Sequence, residues 1–211
     1  RVKMSEILSE VYVATCDKEI FDYIISIGGK AIMTSKNHDR CADRCAEAML
    51  KIENETGNKC DIMVIVQGDE PLTFPQMIQQ AVAPMIEDPN ILITNLVANL
   101  DTKEEFENPN EIKVVMDKNK NALYFSREPI PSRSKTKTDI PMKKQVCVIP
   151  FKRDFLLEYN DMQQTSLEII ESIDMMRILE NGGKVKLCET NYKTKAVDTE
   201  EDLAQVSEIM K

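Results

Sequence analysis

The sequence has one histidine, no tryptophan and six glycines among its 211 residues. No apolar run is long enough to cross a bilayer and no signal-peptide pattern opens the chain, so we expect a cytoplasmic protein without a membrane partner. The single histidine, His38, gives little support to a histidine-dependent nucleophilic triad. The GxGxxG and Walker patterns of common glycine-rich phosphate loops do not occur.

Six cysteines are present without a repeated CxxC pattern, at positions 16, 41, 45, 60, 147 and 188. In a cytoplasmic chain they are expected to be free, buried thiols. Cys41 and Cys45 lie one helical turn apart, but a tetrahedral zinc site needs four ligands and His38 is the sole histidine. A zinc site is therefore not predicted.

The formal net charge is −9 and the isoelectric point is about 4.9. This acidic balance argues against a nucleic-acid partner, which would require basic surface. A small anionic ligand remains compatible, because a few local cations and a metal ion can hold it. With 42% hydrophobic and 30% charged residues, the composition is that of a globular domain with a core.

Apolar runs alternate with amphipathic stretches, which is typical of an α/β protein. In the first half we predict strands over 11–15, 30–34, 61–67 and 91–96, and helices over 18–27, 42–53 and 75–86. The run 61–67 is apolar almost throughout, as expected for a central strand covered on both faces.

In the second half, 113–116 and 122–125 alternate like the arms of a hairpin. A mobile loop is predicted over 131–138, strands over 145–151 and 184–189, and helices over 154–159, 166–180 and from residue 200 onward. Nothing indicates two independently folding units, so 1–211 is interpreted as a single domain.

The first residues, Arg1-Val2-Lys3-Met4, have the character of a helix end that leads into the strand at 11–15. An α/β sheet usually begins with a strand, and its first βα turn often carries a phosphate loop. We therefore expect an intact domain to have an N-terminal strand and phosphate loop ahead of this sequence.

Gln67-Gly68-Asp69-Glu70-Pro71 follows the strongest predicted strand directly. Open α/β sheets bind ligands at the carboxyl ends of their strands, and a carboxylate there is a good ligand for a hard cation such as Mg²⁺. Asp69 is the candidate. The alternative is a turn whose acid caps the next helix.

Asp198 is the second candidate carboxylate, since Val197-Asp198-Thr199 lies between a short strand and a helix. If it met Asp69, the pair would form a metal site for nucleotide phosphates. The alternative is that Asp198 or Thr199 serves as an ordinary helix N-cap.

Two groups of basic residues are candidate anion ligands. Arg127 ends a strand before a proline-stiffened turn, and its planar fork suits a carboxylate or phosphate; the alternative is a surface salt bridge. Arg40, Asp43 and Arg44 stand at a helix start, where backbone amides can hold an anion or read a base. Capping by Asp43 is the simpler interpretation there.

In order along the chain, these pieces resemble the CMP-Kdo synthetases (Kdo is 3-deoxy-manno-octulosonate). The motifs that carry the resemblance are Val13-Ala14-Thr15, Met33-Thr34-Ser35, His38, Asp43-Arg44, Gln67-Gly68-Asp69-Glu70-Pro71, Asn108-Pro109-Asn110, Lys113-Val114-Val115, Ala122-Leu123-Tyr124-Phe125-Ser126-Arg127, Pro129-Ile130-Pro131, Phe155-Leu156-Leu157, Leu179-Glu180-Asn181-Gly182 and Val197-Asp198-Thr199. The resemblance implies a Rossmann-like nucleotide-diphospho-sugar transferase fold, with a three-layer α/β/α mixed sheet and a small β hairpin for dimerisation. It also implies a homodimer, with residues 112–152 forming the sugar-acid side and the dimer interface.

The resemblance further implies that CTP and a sugar acid give a CMP-sugar and pyrophosphate, in cell-surface polysaccharide biosynthesis. Asp69 and Asp198 match the Mg²⁺-binding aspartates, which act catalytically through the metal. Arg127 and Gln67 match positions beside the sugar acid, where Gln145 and Asp174 also fall. Four residues match the region that holds the cytosine, namely Cys41, Ala42, Asp43 and Arg44.

Several positions depart from the family pattern. The basic loop that stabilises pyrophosphate is absent from these residues, so we expect weak or no turnover from this exact chain. Where the family usually has His-Ile-Gly-Ile-Tyr, Glu-Gln and Ser-Gly-Thr, this chain has Gln145 to Ile149, Asp174-Met175 and Arg40-Cys41-Ala42. The expected acceptor is Kdo or a related 2-keto sugar acid. The alternatives are a nonulosonate- or phosphonate-type acid, a UTP- or GTP-dependent transferase, and a non-catalytic nucleotide-binding module.

Overall fold

The computed structural model describes residues 1–135 and 142–210, so the predicted loop over 131–138 lies partly outside the described residues. None of the helices in these ranges is long and apolar enough to cross a membrane. The first half contains a 3₁₀ helix at Val2–Met4, followed by β1 (Val13–Thr15), α1 (Lys18–Ser26), β2 (Ala31–Met33), α2 (Cys41–Thr56), β3 (Ile62–Val66), α3 (Pro75–Glu87), β4 (Thr94–Leu100) and α4 (Lys103–Glu107).

The second half begins with the predicted hairpin, which is confirmed. Its elements are β5 (Lys113–Met116), β6 (Ala122–Ser126), β7 (Met142–Val146), β8 (Val148–Lys152), α5 (Arg153–Asp161), α6 (Ser166–Glu171), α7 (Met175–Glu180), β9 (Lys186–Glu189) and α8 (Glu200–Ile209). A mixed five-stranded sheet has the order β6-β5-β7-β4-β9, in which only the β4–β9 pair is parallel. In addition, β1 pairs with β2 in parallel and β3 pairs with β8 antiparallel.

Local chemistry sets the helix ends nearest the site. Asp17 caps α1 by accepting hydrogen bonds from the backbone amides of Glu19 and Ile20, at 2.7 and 3.3 Å. Helix α2 ends at Gly57, whose φ of 74° is the left-handed conformation that glycine adopts without strain. Asp17 thus fixes the start of α1 just after β1, and Gly57 ends α2 ahead of β3.

Two hydrophobic clusters cover opposite faces of the strands. Ile149 and Phe151 of β8 pack with α2, α5 and α7, whereas Val148 packs with α3. The same alternation occurs in β4, where Val97 joins the first cluster and Leu96 the second. Since successive side chains of a strand point to opposite faces, the helices form two outer layers, as predicted.

The predicted strand over 145–151 is wrong, because the chain breaks at Cys147 into β7 and β8. The Cys147 carbonyl accepts from Gln67 N over 3.2 Å, and its amide donates to Glu70 Oε1 over 3.3 Å. These bonds direct the backbone of Cys147 to the loop after β3, so β7 pairs with β4 and β5 while β8 pairs with β3.

The predicted helix over 166–180 is also wrong, since it is two helices separated at Ser172. This residue has a φ of 54°, a left-handed conformation that ends α6. Helix α4 was not predicted, although Thr102 and Glu105 form a capping box that was a readable signal. The prediction that β3 is covered on both faces is also wrong. Only Ile65 of this strand is buried, and the other four residues are half-buried.

Candidate active site

The structure brings Asp69 and Asp198 together at the carboxyl end of β3. The backbone amide of Val197 donates to the carbonyl of Asp69 over 2.9 Å, which places the next residue, Asp198, beside it. Burial raises the pKa of the Asp69 carboxyl, and the negative charge of Asp198 raises it further. The two carboxylates therefore lie close enough for their negative charges to repel each other.

Neither aspartate is used as a helix cap. Thr199 caps α8 by accepting from Asp202 N over 3.2 Å, and Asp202 Oδ2 accepts from Thr199 N over 3.1 Å. Asp198 is exposed, and Asp69 Oδ1 is buried without a hydrogen-bond partner. Of the capping alternatives, the structure bears out only capping by Thr199, which leaves both aspartates free of that role. The orphaned buried oxygen of Asp69 is suited to a cation.

Asp69 and Asp198 suit a magnesium ion better than a metal ion that is coordinated by side chains alone. Within residues 1–135 and 142–210, no group of three or more His, Cys, Asp or Glu side chains could hold a metal by itself. Mg²⁺ commonly binds through one or two carboxylates and completes its octahedral shell with waters and substrate phosphates. Asp69 and Asp198 meet that smaller requirement.

Gln67, Cys41 and Asp174 form a second contact group beside the paired aspartates. Gln67 Nε2 lies 3.2 Å from Cys41 Sγ, and Cys41 Sγ lies 3.7 Å from Asp174 Oδ2. Arg40 Nη1 completes the group at 3.3 Å from Asp174 Oδ1. Burial raises the pKa of Asp174, while Arg40 opposes that shift. Residues predicted for the nucleotide and for the acid therefore touch one another.

Arg44 holds the loop that leads into α2. Its Nη1 donates to Thr34 Oγ1 over 2.7 Å and to the Ser35 carbonyl over 3.2 Å, and its Nη2 donates to the His38 carbonyl over 3.4 Å. Glu47 supports the same loop by accepting from Ser35 N and by contacting the His38 ring. Its hydrogen bonds with Lys51, Ser35 N and His38 lower the pKa of Glu47 to about 2. Arg44 thus shapes the loop at this end of the site.

The first turn of α2 keeps its backbone amides free of a side-chain cap. Arg40 is its N-cap residue and makes no capping hydrogen bond. The side chain of Ala42 is buried in the core, and Asp43 is half-buried. What Ala42 and its neighbours can offer a ligand is therefore backbone N–H, in the positive field of a helix start.

Arg127 is fixed by backbone carbonyls instead of by a carboxylate. Its Nε donates to the Glu171 carbonyl over 2.7 Å, its Nη1 to that of Pro109 over 2.9 Å and its Nη2 to that of Ser172 over 3.4 Å. No ion pair involves Arg127 within the described part of the chain, so the salt-bridge alternative is not what is observed. Its charge remains available to an anion.

Gln145 stands apart from the contact group. Its Nε2 donates to Asn95 Oδ1 over 2.5 Å, and Asn95 Nδ2 donates to the Val146 carbonyl over 2.9 Å. No hydrogen bond in the described ranges joins Gln145 to Gln67, Cys41 or Asp174. The structure therefore places Gln145 at the β4–β7 pairing, where its amide is already engaged.

Sequence reasoning missed two buried polar residues near the site. Glu70 Oε1 accepts from Cys147 N, its Oε2 has no partner, and burial raises its pKa to about 7. Lys113 is fully buried and donates to the carbonyls of Asn108 and Arg127, so it fixes the backbone of Arg127. A lysine between Ile112 and Val114 in a strand was the available signal.

The chain is similar to known cytidylyltransferases along nearly all its length. A family model described as Cytidylyltransferase matches residues 1–194. The 3-deoxy-manno-octulosonate cytidylyltransferase of Fusobacterium nucleatum is 42% identical over 211 residues, covering 100% of this chain and 83% of that relative. The protein of the same name from Geotalea uraniireducens is 38% identical over 221 residues, covering 100% of this chain and 86% of that relative. A solved structure of CMP:2-keto-3-deoxy-manno-octonic acid synthetase complexed with CTP matches with a TM-score of 0.89 at 31% identity, covering 99% of this chain and 83% of that one.

These matches and the layered architecture define the class as a Rossmann-like nucleotide-diphospho-sugar transferase fold, as the sequence predicted. The structural match extends over 99% of the chain, so it includes the ends of β3 and the segment before α8. The chain belongs to the cytidylyltransferase family and, within it, to the CMP-Kdo synthetases. The resemblance is thereby confirmed.

Proposed function

We propose that this protein transfers CMP from CTP to the anomeric hydroxyl of Kdo or a related 2-keto sugar acid and releases pyrophosphate. The observation that carries the proposal is the meeting of Asp69 and Asp198 at the carboxyl end of β3. The name and bound CTP of the matched structure, together with the names of the relatives, support the same reaction. Its product would serve cell-surface polysaccharide, including lipopolysaccharide, biosynthesis in the cytoplasm.

We assign Asp69 and Asp198 as the carboxylates that would hold Mg²⁺. When bound, the ion would supply positive charge to the phosphates and to the attacking hydroxyl. The buried, unpartnered Oδ1 of Asp69 supports this assignment.

Two electropositive parts of the site are proposed to bind one substrate each. The uncapped first turn of α2, from Cys41 to Asp43, offers backbone N–H groups to the nucleotide, on a loop shaped by Arg44. Arg127 offers guanidinium N–H groups to the carboxylate of the acid. Together they provide the local positive charge that two anionic substrates need in a chain of net charge −9.

Residues 112–152 also carry the proposed homodimer interface, together with α6. Leu123 is 61% exposed on β6, and Ile169 and Ile170 are 60% and 74% exposed on α6. The contacts between β6 and the α6–α7 region, including Tyr124 Oη to Glu171 Oε1 at 3.0 Å, keep these elements together. Apolar side chains presented by neighbouring elements are typical of an association surface.

Pyrophosphate release by the full-length protein with CTP and Mg²⁺ tests the reaction. The acceptor panel is Kdo, its 8-amino analogue and sialic-type acids, with UTP and GTP as competing nucleotides. Turnover with one acid and CTP, abolished in Asp69→Asn, is expected. CTP binding without turnover on any acid would refute the proposed acceptor class, and turnover with UTP in place of CTP would refute the nucleotide.

A further inference from the structure

Four side chains link the end of β3 to two other parts of the site. Gln67 Nε2 donates to Cys41 Sγ over 3.2 Å, and the thiol donates to Asp174 Oδ2 over 3.7 Å. Asp174 pairs with Arg40 at 3.3 Å, with only 15% and 20% of these side chains exposed. One polar network therefore joins β3, the start of α2 and the connection between α6 and α7.

Cys41 can make both of its bonds only as a neutral thiol. Burial raises its pKa to about 12, and the charge of Asp174 acts in the same direction. The proton therefore stays on sulfur near neutral pH, and the thiol donates to Asp174 while accepting from Gln67. A thiolate could not donate to Asp174, and a side chain with neither donor nor acceptor would make neither bond.

The bond to Cys41 determines which end of the Gln67 amide is left for a ligand. With Nε2 on the thiol, the carbonyl oxygen Oε1 is directed elsewhere, and no hydrogen bond from the described residues reaches it. A carbonyl oxygen accepts from a hydroxyl group and repels a carboxylate or phosphate. Gln67 is thus set to recognise a hydroxyl.

We infer that Cys41 is a positioning residue that orients the Gln67 carboxamide so that Oε1 accepts a hydrogen bond from a hydroxyl group of the acceptor acid. The inference rests on the proposed function and deepens it. It assigns the side chain of Cys41 to the acceptor side, whereas its backbone stays in the first turn of α2 that is proposed to face the nucleotide.

The network ends beside the arginine assigned to the carboxylate of the acid. Arg40 Nη1 donates to Ser172 Oγ over 3.3 Å, and Arg127 Nη2 donates to the carbonyl of the same residue over 3.4 Å. Ser172 therefore connects the two halves of the acceptor side. Arg127 would hold the anionic end of the acid and Gln67 would select a hydroxyl further along it.

A double-mutant cycle on the full-length protein tests the inference, with Kdo as the acceptor and Gln67→Met as the partner variant. Cys41→Ala is expected to lower kcat/KM for Kdo about tenfold, the size of one lost hydrogen bond, while the KM for CTP stays within about twofold. In the Gln67→Met background, Cys41→Ala is expected to add less than about twofold, because the residue it positions is gone. Cys41→Ser keeps a donor and an acceptor and should restore most of the activity.

Cys45→Ala is the matched control, since it removes a thiol one turn later in the same helix without touching Gln67. If Cys41→Ala folds poorly, the larger apolar variant Cys41→Val carries the same cycle. Losses that multiply, or a raised KM for CTP with kcat/KM for Kdo unchanged, would overturn the inference while leaving the proposed reaction intact. A wild-type protein that releases no pyrophosphate with any acid would remove the proposed function, and the inference with it.

Discussion

The backbone amide of Val197 donates a 2.9 Å hydrogen bond to the carbonyl of Asp69. Asp69 follows β3, whereas Val197 precedes α8, and this one bond brings two segments far apart in sequence to the same edge of the sheet. Because Asp198 is the residue after Val197, the bond also places Asp198 beside Asp69. The bond itself is made by backbone and does not depend on either carboxylate.

Asp198→Asn should therefore reduce activity without reducing stability. The neutral amide removes one of the two anionic ligands proposed for Mg²⁺. We therefore expect kcat/KM to fall on the order of 100-fold and the Mg²⁺ concentration needed for half-maximal turnover to rise. Asp202→Ala is the control, since it removes the oxygen that accepts from Thr199 N in the capping box of α8 and should cost about 1 kcal/mol of stability with turnover kept. Equal turnover of Asp198→Asn and wild type across a Mg²⁺ titration would contradict the assignment.

Glu168 and Arg177 should show strong coupling in unfolding experiments. They form a buried bidentate pair, at 2.8 Å for Nε to Oε2 and 2.6 Å for Nη2 to Oε1, and Arg177 also lies over the ring of Tyr159. Glu168→Gln removes the negative charge and one of the two acceptor oxygens that face the buried guanidinium of Arg177, so we expect a loss of about 3 kcal/mol. Glu168→Gln combined with Arg177→Met should cost less than the sum of the two single changes in urea unfolding; additive losses would count against a coupled pair.

Sequence patterning located the strands that carry the candidate site but not the breaks between them. Val146-Cys147-Val148 continues an apolar run, so nothing local signals that Cys147 leaves the ladder. Its amide bonds to Glu70, which lies 77 positions away. Ser172 likewise interrupts a helical pattern with a left-handed φ that no glycine announces.

The candidate site followed the same division. Asp69 was recognisable as a candidate because it follows a strongly predicted strand, at the end where open α/β sheets bind ligands. The pairing with Asp198 was foreseen only through the resemblance. The contact of Cys41 with Asp174 joins residues 133 positions apart, so only the folded chain reveals it. Long-range side-chain pairing is what sequence periodicity does not encode.

The Glu53–Arg153 ion pair should make the stability of the fold depend on pH in the acidic range. Arg153 donates to both carboxylate oxygens of Glu53 at 2.7 Å and lowers the pKa of Glu53 to about 2 from its ordinary 4.5. Because the folded-state pKa is lower, the pair stabilises the fold above about pH 4.5, and that contribution is lost as the pH falls from 4.5 to 2.

Glu53→Gln should accordingly lower the free energy of unfolding at pH 7 by about 1–2 kcal/mol and flatten its pH dependence between 4.5 and 2. Urea unfolding at a series of pH values measures both effects. Glu55→Gln, which removes the same charge from the exposed side of the same helix, should leave stability nearly unchanged. If the free energy of unfolding of Glu53→Gln depended on pH below 4.5 as it does in the wild type, the pair would not be the source of the acid sensitivity.

Arg127→Lys should separate binding of the acid from binding of CTP. The guanidinium bonds to three carbonyls, those of Glu171, Pro109 and Ser172, and still has N–H groups left for a carboxylate. A lysine keeps the charge but cannot make these bonds and a bidentate carboxylate contact at once. We expect the KM for the acid to rise about tenfold with the KM for CTP within about twofold, measured by pyrophosphate release.

Arg153→Lys is the matched control for this change of side chain. Arg153 lies at the opposite end of β3, where its backbone amide donates to the Asp61 carbonyl over 3.1 Å, so its replacement should lower stability and leave both KM values unchanged. A KM for the acid that rises equally in both variants would attribute the effect to general loosening of the fold. A rise confined to Arg127→Lys would leave the guanidinium itself as the group that meets the acid, because charge is the same in both proteins.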